Sequence, residues 1–210
     1  MTSLVTNVSE ENRAEQGGLV KGVAVGIVTQ NQDSLGRVKV SFPWRDHAGE
    51  SNWARVAAPM AGADRGAWFN PEVGDEVLVA FERGEITQPY VLGQLWNGQD
   101  LPPTTNSDGN NDVRQIKSRL GHELIFNDGS DPFVEIRTSD GKIARLDTGK
   151  IELTDGRNKM TIDSNAGGIT LESSGSITIK STEITIEATA AMTVKAGGTL
   201  TIQGALVQIN

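Results

Sequence analysis

The sequence predicts an all-β chain of two architectures: a small barrel first, then a repeat that winds together with two other copies. Three observations predict it. Short β-branched runs with period-two alternation recur through the first hundred residues, separated by Gly, Pro and Asn. All ten aromatics and all seven Pro lie at or before Phe133, eight of those aromatics between Phe42 and Trp96. From Val134 to Asn210 there is neither, only apolar, small and charged residues recurring every seven to nine positions.

Each barrel strand has its own signal. Val23-Ala-Val-Gly-Ile-Val28 runs into the polar turn Thr29 to Ser34. Arg37-Val-Lys-Val-Ser-Phe42 alternates strictly and stops at Pro43. Trp53-Ala-Arg-Val56 is the third run, and Asp75-Glu-Val-Leu-Val-Ala-Phe81, opened by Gly74, is the strongest. Gln88-Pro-Tyr-Val-Leu-Gly93 is the last. Five short strands in about 75 residues predict a partly closed Greek-key barrel. Between them, Pro59 to Asn70 reads as a long connection whose Trp68-Phe69 pair plugs the barrel.

The second half is built from apolar–polar–apolar units starting at Val134, Ile143 or Ala144, Ile151, Met160, Ile169, Ile177, Ile184, Met192, Leu200 and Val207. Period two inside a unit means strand, and the Gly, Ser, Asn and Asp between units mean turn. One such unit is too short for a full solenoid coil but makes one side of a triangular prism. A single copy would give about three coils with open ends, which is marginal. Three intertwined copies close the edges, so the sequence predicts an obligate homotrimer and a needle about 50 Å long. Its core is expected from Ile162, Ile169, Leu171, Ile177, Ile179, Ile184, Ile186, Met192, Val194, Leu200 and Ile202. The residues following the apolar pairs, Glu172, Lys180, Glu187 and Lys195, alternate in charge and are expected to form a ladder on adjacent strands.

Composition excludes several classes of function. With no Cys there is neither a disulfide scaffold nor a thiolate site. Two His, His47 and His122, leave little for imidazole chemistry. A net charge of −8 and aromatics expected to sit beside acidic or neutral residues argue against a nucleic-acid partner. No apolar run reaches the length of a membrane span, and Met1 to Gly18 lacks the apolar core of a signal peptide.

The motifs that look chemical fail on detail. Leu146-Asp-Thr-Gly149 matches an aspartic-protease loop but sits in a repeat turn. Asp108-Gly-Asn-Asn-Asp112 begins like a calcium loop, yet Arg119 stands where the bidentate Glu belongs. Gly121-His-Glu-Leu-Ile-Phe126 lacks the second His of a zinc helix, and His122 is expected to pack at a neck. No catalytic residue, cofactor or metal is expected.

These residues also carry a family resemblance. Gly26-Ile-Val28, Gly36-Arg-Val-Lys-Val-Ser-Phe-Pro-Trp44, Trp53-Ala-Arg-Val56, Pro59-Met-Ala-Gly62 and Gly66-Ala-Trp-Phe69 stand in order. Pro71-Glu-Val-Gly-Asp-Glu-Val-Leu-Val-Ala-Phe81 and Gln88-Pro-Tyr-Val-Leu-Gly93 complete the set. Together they resemble the central spike proteins of contractile injection machines: phage baseplate assembly protein V, VgrG spikes of type VI secretion, and spikes of extracellular injection particles. Ile116-Lys-Ser-Arg-Leu-Gly-His-Glu-Leu-Ile-Phe126 is similar to that family's passage from barrel to needle.

The resemblance implies an N-terminal extension (1–18), an OB-fold barrel (19–97), a linker and neck (98–133) and an octad-repeat triple-stranded β-helix (134–210). It implies a non-enzymatic homotrimeric spike in the baseplate of a virion or phage-tail-like particle, assembled in the bacterial cytoplasm. A baseplate hub protein would hold the barrel and N-terminal extension. The blunt end Leu206, Val207, Ile209 and Asn210 would take a PAAR-repeat-like tip protein, and the target membrane would be met only during puncture. Two rival readings are a β-helical polysaccharide depolymerase, which needs paired carboxylates in an aromatic-lined cleft, and an OB-fold nucleic-acid-binding protein.

Overall fold

The computed structural model describes residues 19–45 and 49–209. The N-terminal extension 1–18, His47 and Asn210 therefore lie outside the described residues. The chain divides into two compact units, one up to Gly109 and one from Asn110.

The first unit holds β1 (Val23–Gln30), β2 (Lys39–Ser41), β3 (Arg55–Val56), β4 (Ala61–Gly62), β5 (Arg65–Gly66), β6 (Glu76–Phe81) and β7 (Pro89–Gln94). Five of them form one sheet in the order β2-β1-β6-β7-β3, with β3 parallel to β7 and the other pairs antiparallel. Val38 and Ala54 exchange both backbone hydrogen bonds, at 3.0 and 2.8 Å, and this contact joins the two ends of the sheet. The result is a five-stranded barrel, closed by this bridge where the alternating runs predict a partly closed Greek-key barrel.

Alternation also selects the core. Val38, Val40 and Phe42 from one run, and Val77, Val79 and Phe81 from another, point inward with Val28, Ala54 and Val91. Burying each Val side chain contributes about 1.5 kcal/mol or more. The rings of Phe42 and Phe81 meet at 5.5 Å between centroids, and Trp44 stands 5.7 Å from Phe42.

The plug expected from Trp68 and Phe69 is not there. Both are exposed, at 72% and 59%. Their segment folds outward as the β4–β5 hairpin, whose turn holds Asp64 at φ 52°. The Trp68 ring lies instead against Gly36, in the loop between β1 and β2.

The second unit is a seven-stranded antiparallel meander in strict chain order: β8 (Val113–Lys117), β9 (Glu123–Asn127), β10 (Phe133–Arg137), β11 (Ile143–Asp147), β12 (Lys150–Thr154), β13 (Asn158–Asp163) and β14 (Gly168–Ser173). This differs from the expected winding in two ways. The sheet begins at Val113, inside the segment expected as linker and neck. Each strand up to Ser173 pairs with the next strand of its own chain rather than with another copy.

The turns explain both differences. Between Thr138 and Lys142 the Thr138 N–H donates to the Lys142 carbonyl at 2.9 Å, and the Gly141 N–H donates to the Thr138 carbonyl at 3.0 Å. Gly141 sits at φ 89°, so the chain reverses at once instead of crossing to a new face. The turn from Ser118 to His122 repeats the same two bonds at 2.8 and 2.9 Å. From residue 174 to 209 the described chain forms no strand.

Candidate assembly surface

Because side chains alternate across a strand, the meander has two unlike faces. Register lines up Ile116, Leu124, Ile136, Ala144, Leu153, Met160 and Leu171 in one row across all seven strands. Two residues along each strand, Phe126, Val134, Leu146, Ile151, Ile162 and Ile169 form a second row, ended by Arg114 on β8. The register settles the ambiguous unit in favour of Ala144 and Leu146; Ile143 lies on the other face. These rows are open in the single chain: Ile136 is 57% exposed and Leu171 56%. Contiguous exposed apolar faces of this length are characteristic of interaction surfaces.

The other face is polar and tied together by ion pairs. Lys117 meets Glu123 at 2.8 Å, and Lys150 and Lys159 both meet Glu152 at 2.9 Å. Glu135, only 2% exposed, lies between Arg137 at 2.6 Å and Arg145 at 3.4 Å. The Arg145 guanidinium also covers the Phe133 ring at 3.8 Å. Hydrogen bonds from Lys117 hold the Glu123 carboxyl below its ordinary range, and those from Lys159 and Lys150 do the same for Glu152.

Of the residues expected in the core, Ile162, Ile169 and Leu171 lie on the apolar face. Ile177, Ile179, Ile184, Ile186, Met192, Val194, Leu200 and Ile202 lie along the segment without strands, each 50 to 72% exposed. Leu206, Val207 and Ile209 are exposed as well, and Asn210 is outside the described residues. The repeat units read from the sequence start at Val134, so the residues the sequence did not place are those of β8 and β9: Ile116, Leu124 and Phe126. The signal was present, since Glu123-Leu-Ile-Phe-Asn127 puts apolar residues two apart between Gly-containing turns, as Phe133-Val-Glu-Ile-Arg137 does.

The motifs with a chemical look are turns. Gly149 and Lys150 N–H groups both donate to Asp147 Oδ1 at 2.9 Å, and the Gly149 bond leads in holding that carboxyl below its usual range. His122 is exposed rather than packed, and its Nδ1 accepts a hydrogen bond from the Ser139 N–H at 3.2 Å. Among the described residues no cluster of three or more His, Asp or Glu is placed to hold a metal.

The barrel adds two surfaces of its own. Its hairpin exposes Met60, Trp68 and Phe69 over a groove of about 880 Å³ that β3 and β7 floor. Val23 and Val25 of β1 and Leu92 of β7 point outward and stand exposed. One expectation needs correcting: aromatics do lie near cations, Trp53 under Lys39 and Arg37, and Tyr90 under Arg55. The cations are not free to form a basic patch, however. Arg37 pairs with Asp33 at 2.9 Å and Lys39 with Glu50 at 3.3 Å, while Tyr90 bridges Arg55 to Glu82.

A closed barrel is followed in the chain by a sheet whose apolar face its own chain leaves largely open. Residues 24–96 match the injector OB domain of type VI secretion systems and phage baseplates. The chain is similar to the type VI secretion system spike protein VgrG3 of Vibrio cholerae serotype O1, 41% identical over 76 residues, which are 34% of this chain and 7% of the relative. It is also similar to the spike protein VgrG2a of Pseudomonas aeruginosa, 42% identical over 76 residues, covering 34% of this chain and 9% of the relative. The spike protein VgrG1a of the same organism is 32% identical over 119 residues, 52% of this chain and 17% of the relative. This chain thus spans only 7 to 17% of the length of these relatives.

Proposed function

We propose that this chain is a non-enzymatic central spike of a contractile, phage-tail-like injection machine, working as a homotrimer. The observation that carries the reading is the pair of apolar rows across β8–β14. No neighbour in the same chain covers them, and three copies meeting face to face around an axis would bury all of them at once. The segment 174–209 repeats the same apolar pairs without forming strands alone, which suits strands completed by the other two copies. The family of the barrel supports the baseplate setting.

In this reading Ile162, Ile169, Leu171 and the pairs from Ile177 to Ile202 line the trimer axis. A hub protein holds the barrel through the exposed hairpin, the outer β1–β7 surface and the extension 1–18. A PAAR-repeat-like tip protein covers Leu206, Val207, Ile209 and Asn210. The mechanism is mechanical: sheath contraction drives the shaft through a target envelope, and backbone ladders keep three chains in register under the load. Sedimentation velocity of the full chain tests the core of this. The expected species is a stable trimer of a 22.4 kDa chain. A monomer at micromolar concentration overturns the spike.

A further inference from the structure

The turns that join β8 to β14 fall into two sets, one at each end of the strands. Turns 118–122, 138–142 and 155–158 make one lateral edge of the sheet, and turns 127–133, 147–150 and 163–168 make the other. The two edges are unlike in charge. Each turn of the first carries one cation: Arg119, Lys142 and Arg157 in order. Its two carboxylates are taken up locally. Asp140 meets Lys142, and Asp155 Oδ1 accepts the Arg157 and Asn158 N–H groups at 2.9 and 2.6 Å. The second edge carries Asp128, Asp131, Asp147 and Asp163, with Asp112 just ahead of β8. The lysine of that edge, Lys150, turns to Glu152 at 2.9 Å. Arg114 and Arg145 reach the edge from within the sheet, Arg114 at 2.8 Å from Asp128 and Arg145 at 3.2 Å from Asp131 and 3.3 Å from Asp147. Asp128 and Asp131 nevertheless stay 66% and 76% exposed.

The edges also differ in height. In a meander consecutive turns lie at opposite ends, so the turns of one edge stand one strand spacing, about 4.8 Å, from those of the other. When the first edge of one copy is set against the second edge of another, with β8 of both at the same end, the turns mesh. Turn 138–142 enters between turns 127–133 and 147–150 of the next copy, which puts Lys142 between Asp131 and Asp147. Turn 155–158 enters one step further along, with Arg157 between Asp147 and Asp163. Turn 118–122 brings Arg119 between Asp112 and Asp128. If one copy is turned end for end, like edge meets like edge, and like charges side by side are destabilising.

We propose that the lateral edges of the meander are a docking surface for a second copy of this chain, the cationic turns of one copy seated between the acidic turns of the next. The inference rests on the trimeric reading above. The open apolar face is indifferent to the direction of its partner. The edges are not, and they set all copies parallel and at one height. A contact of one edge on the other is also heterologous, so it passes from copy to copy until the ring closes.

The test centres on Lys142, which is 59% exposed. Ser130 and Thr148 are exposed in the two turns that would flank it, and changing them leaves the Asp side chains of that edge in place. Four forms of the full chain are compared by sedimentation equilibrium: unchanged, Lys142→Glu, Ser130→Lys with Thr148→Lys, and all three changes together. Lys142→Glu is expected to raise the trimer dissociation constant about tenfold. The two lysines are expected to bring that variant back toward the unchanged chain and to give the unchanged chain no gain. Three results overturn the edge contact and leave the trimer standing: a trimer equally tight with Lys142→Glu, a triple variant no tighter than Lys142→Glu alone, or a lysine pair that tightens both backgrounds alike. An unchanged chain that sediments as a monomer overturns the trimer itself.

Discussion

At Gly36 a single backbone angle decides where an indole lies. The residue sits at φ 69°, and a Cβ there would stand 2.5 Å from two ring carbons of Trp68. Gly36→Ala therefore meets a disfavoured backbone and a steric clash together, and the ring that fastens the β4–β5 hairpin must move. The expected cost is about 1–3 kcal/mol of barrel stability, read from urea unfolding followed by tryptophan fluorescence. An unchanged midpoint would mean that Trp68 contributes nothing to holding the hairpin. This contact also shows why composition alone points to a plug. Trp68 and Phe69 have the composition of core residues, whereas the place that receives the Trp68 ring is a glycine 32 positions earlier. His122 escaped for a related reason: its partner, the Ser139 N–H, belongs to the next-but-one turn and is brought close only by the meander.

At the scale of elements, the barrel was legible because its strands alternate and one face is buried, so pattern and burial coincide at Val38, Val40 and Phe42. In the second unit the strands were legible but their partners were not. A pair of apolar residues two apart looks the same whether its neighbour is the next strand of one chain or a strand of another. The discriminating signal lay in the turns, where Asp140-Gly141 and Asp155-Gly156 mark hairpins. The apolar face then makes a direct prediction. Leu153→Asp puts a carboxylate into the middle of the first row at a cost of about 3 kcal/mol per chain, and the trimer is expected to dissociate in sedimentation. All four Trp precede Asn97, so their fluorescence should still report a folded barrel; a variant that remains trimeric would show that this face is not buried between copies.

The polar face of the same sheet predicts an acid limit. Glu123 and Glu152 titrate below their ordinary range because Lys117, Lys159 and Lys150 bond their charged forms, and the Asn158 and Arg157 N–H groups hold Asp155 at about 2. A carboxyl depressed on folding stabilises fully above its unfolded value, and that stability is lost as pH falls through the folded one. Melting temperature is therefore expected to hold from pH 7 to about 5 and to drop between about 4 and 2. Because the lysine ends of these pairs reach solvent, added salt should shallow the decline. A melting temperature unchanged down to pH 2 would remove the ion pairs from any account of stability.

At the scale of the whole molecule, barrel and shaft divide the labour. One carries a self-sufficient core, and the other carries apolar surface that its own chain leaves open. The strict succession of strands from β8 to β14 has a consequence in time. Every pairing in that sheet joins segments already adjacent along the chain, so contact order is low and ordering is a fast, first-order event within each chain. In the proposed trimer, burial of the apolar rows must wait for collisions and slows as the chain is diluted. Between the two events there is a folded sheet with an open greasy side. On that reading, how fast trimers accumulate is set by how quickly newly made copies find one another, not by how quickly each one folds.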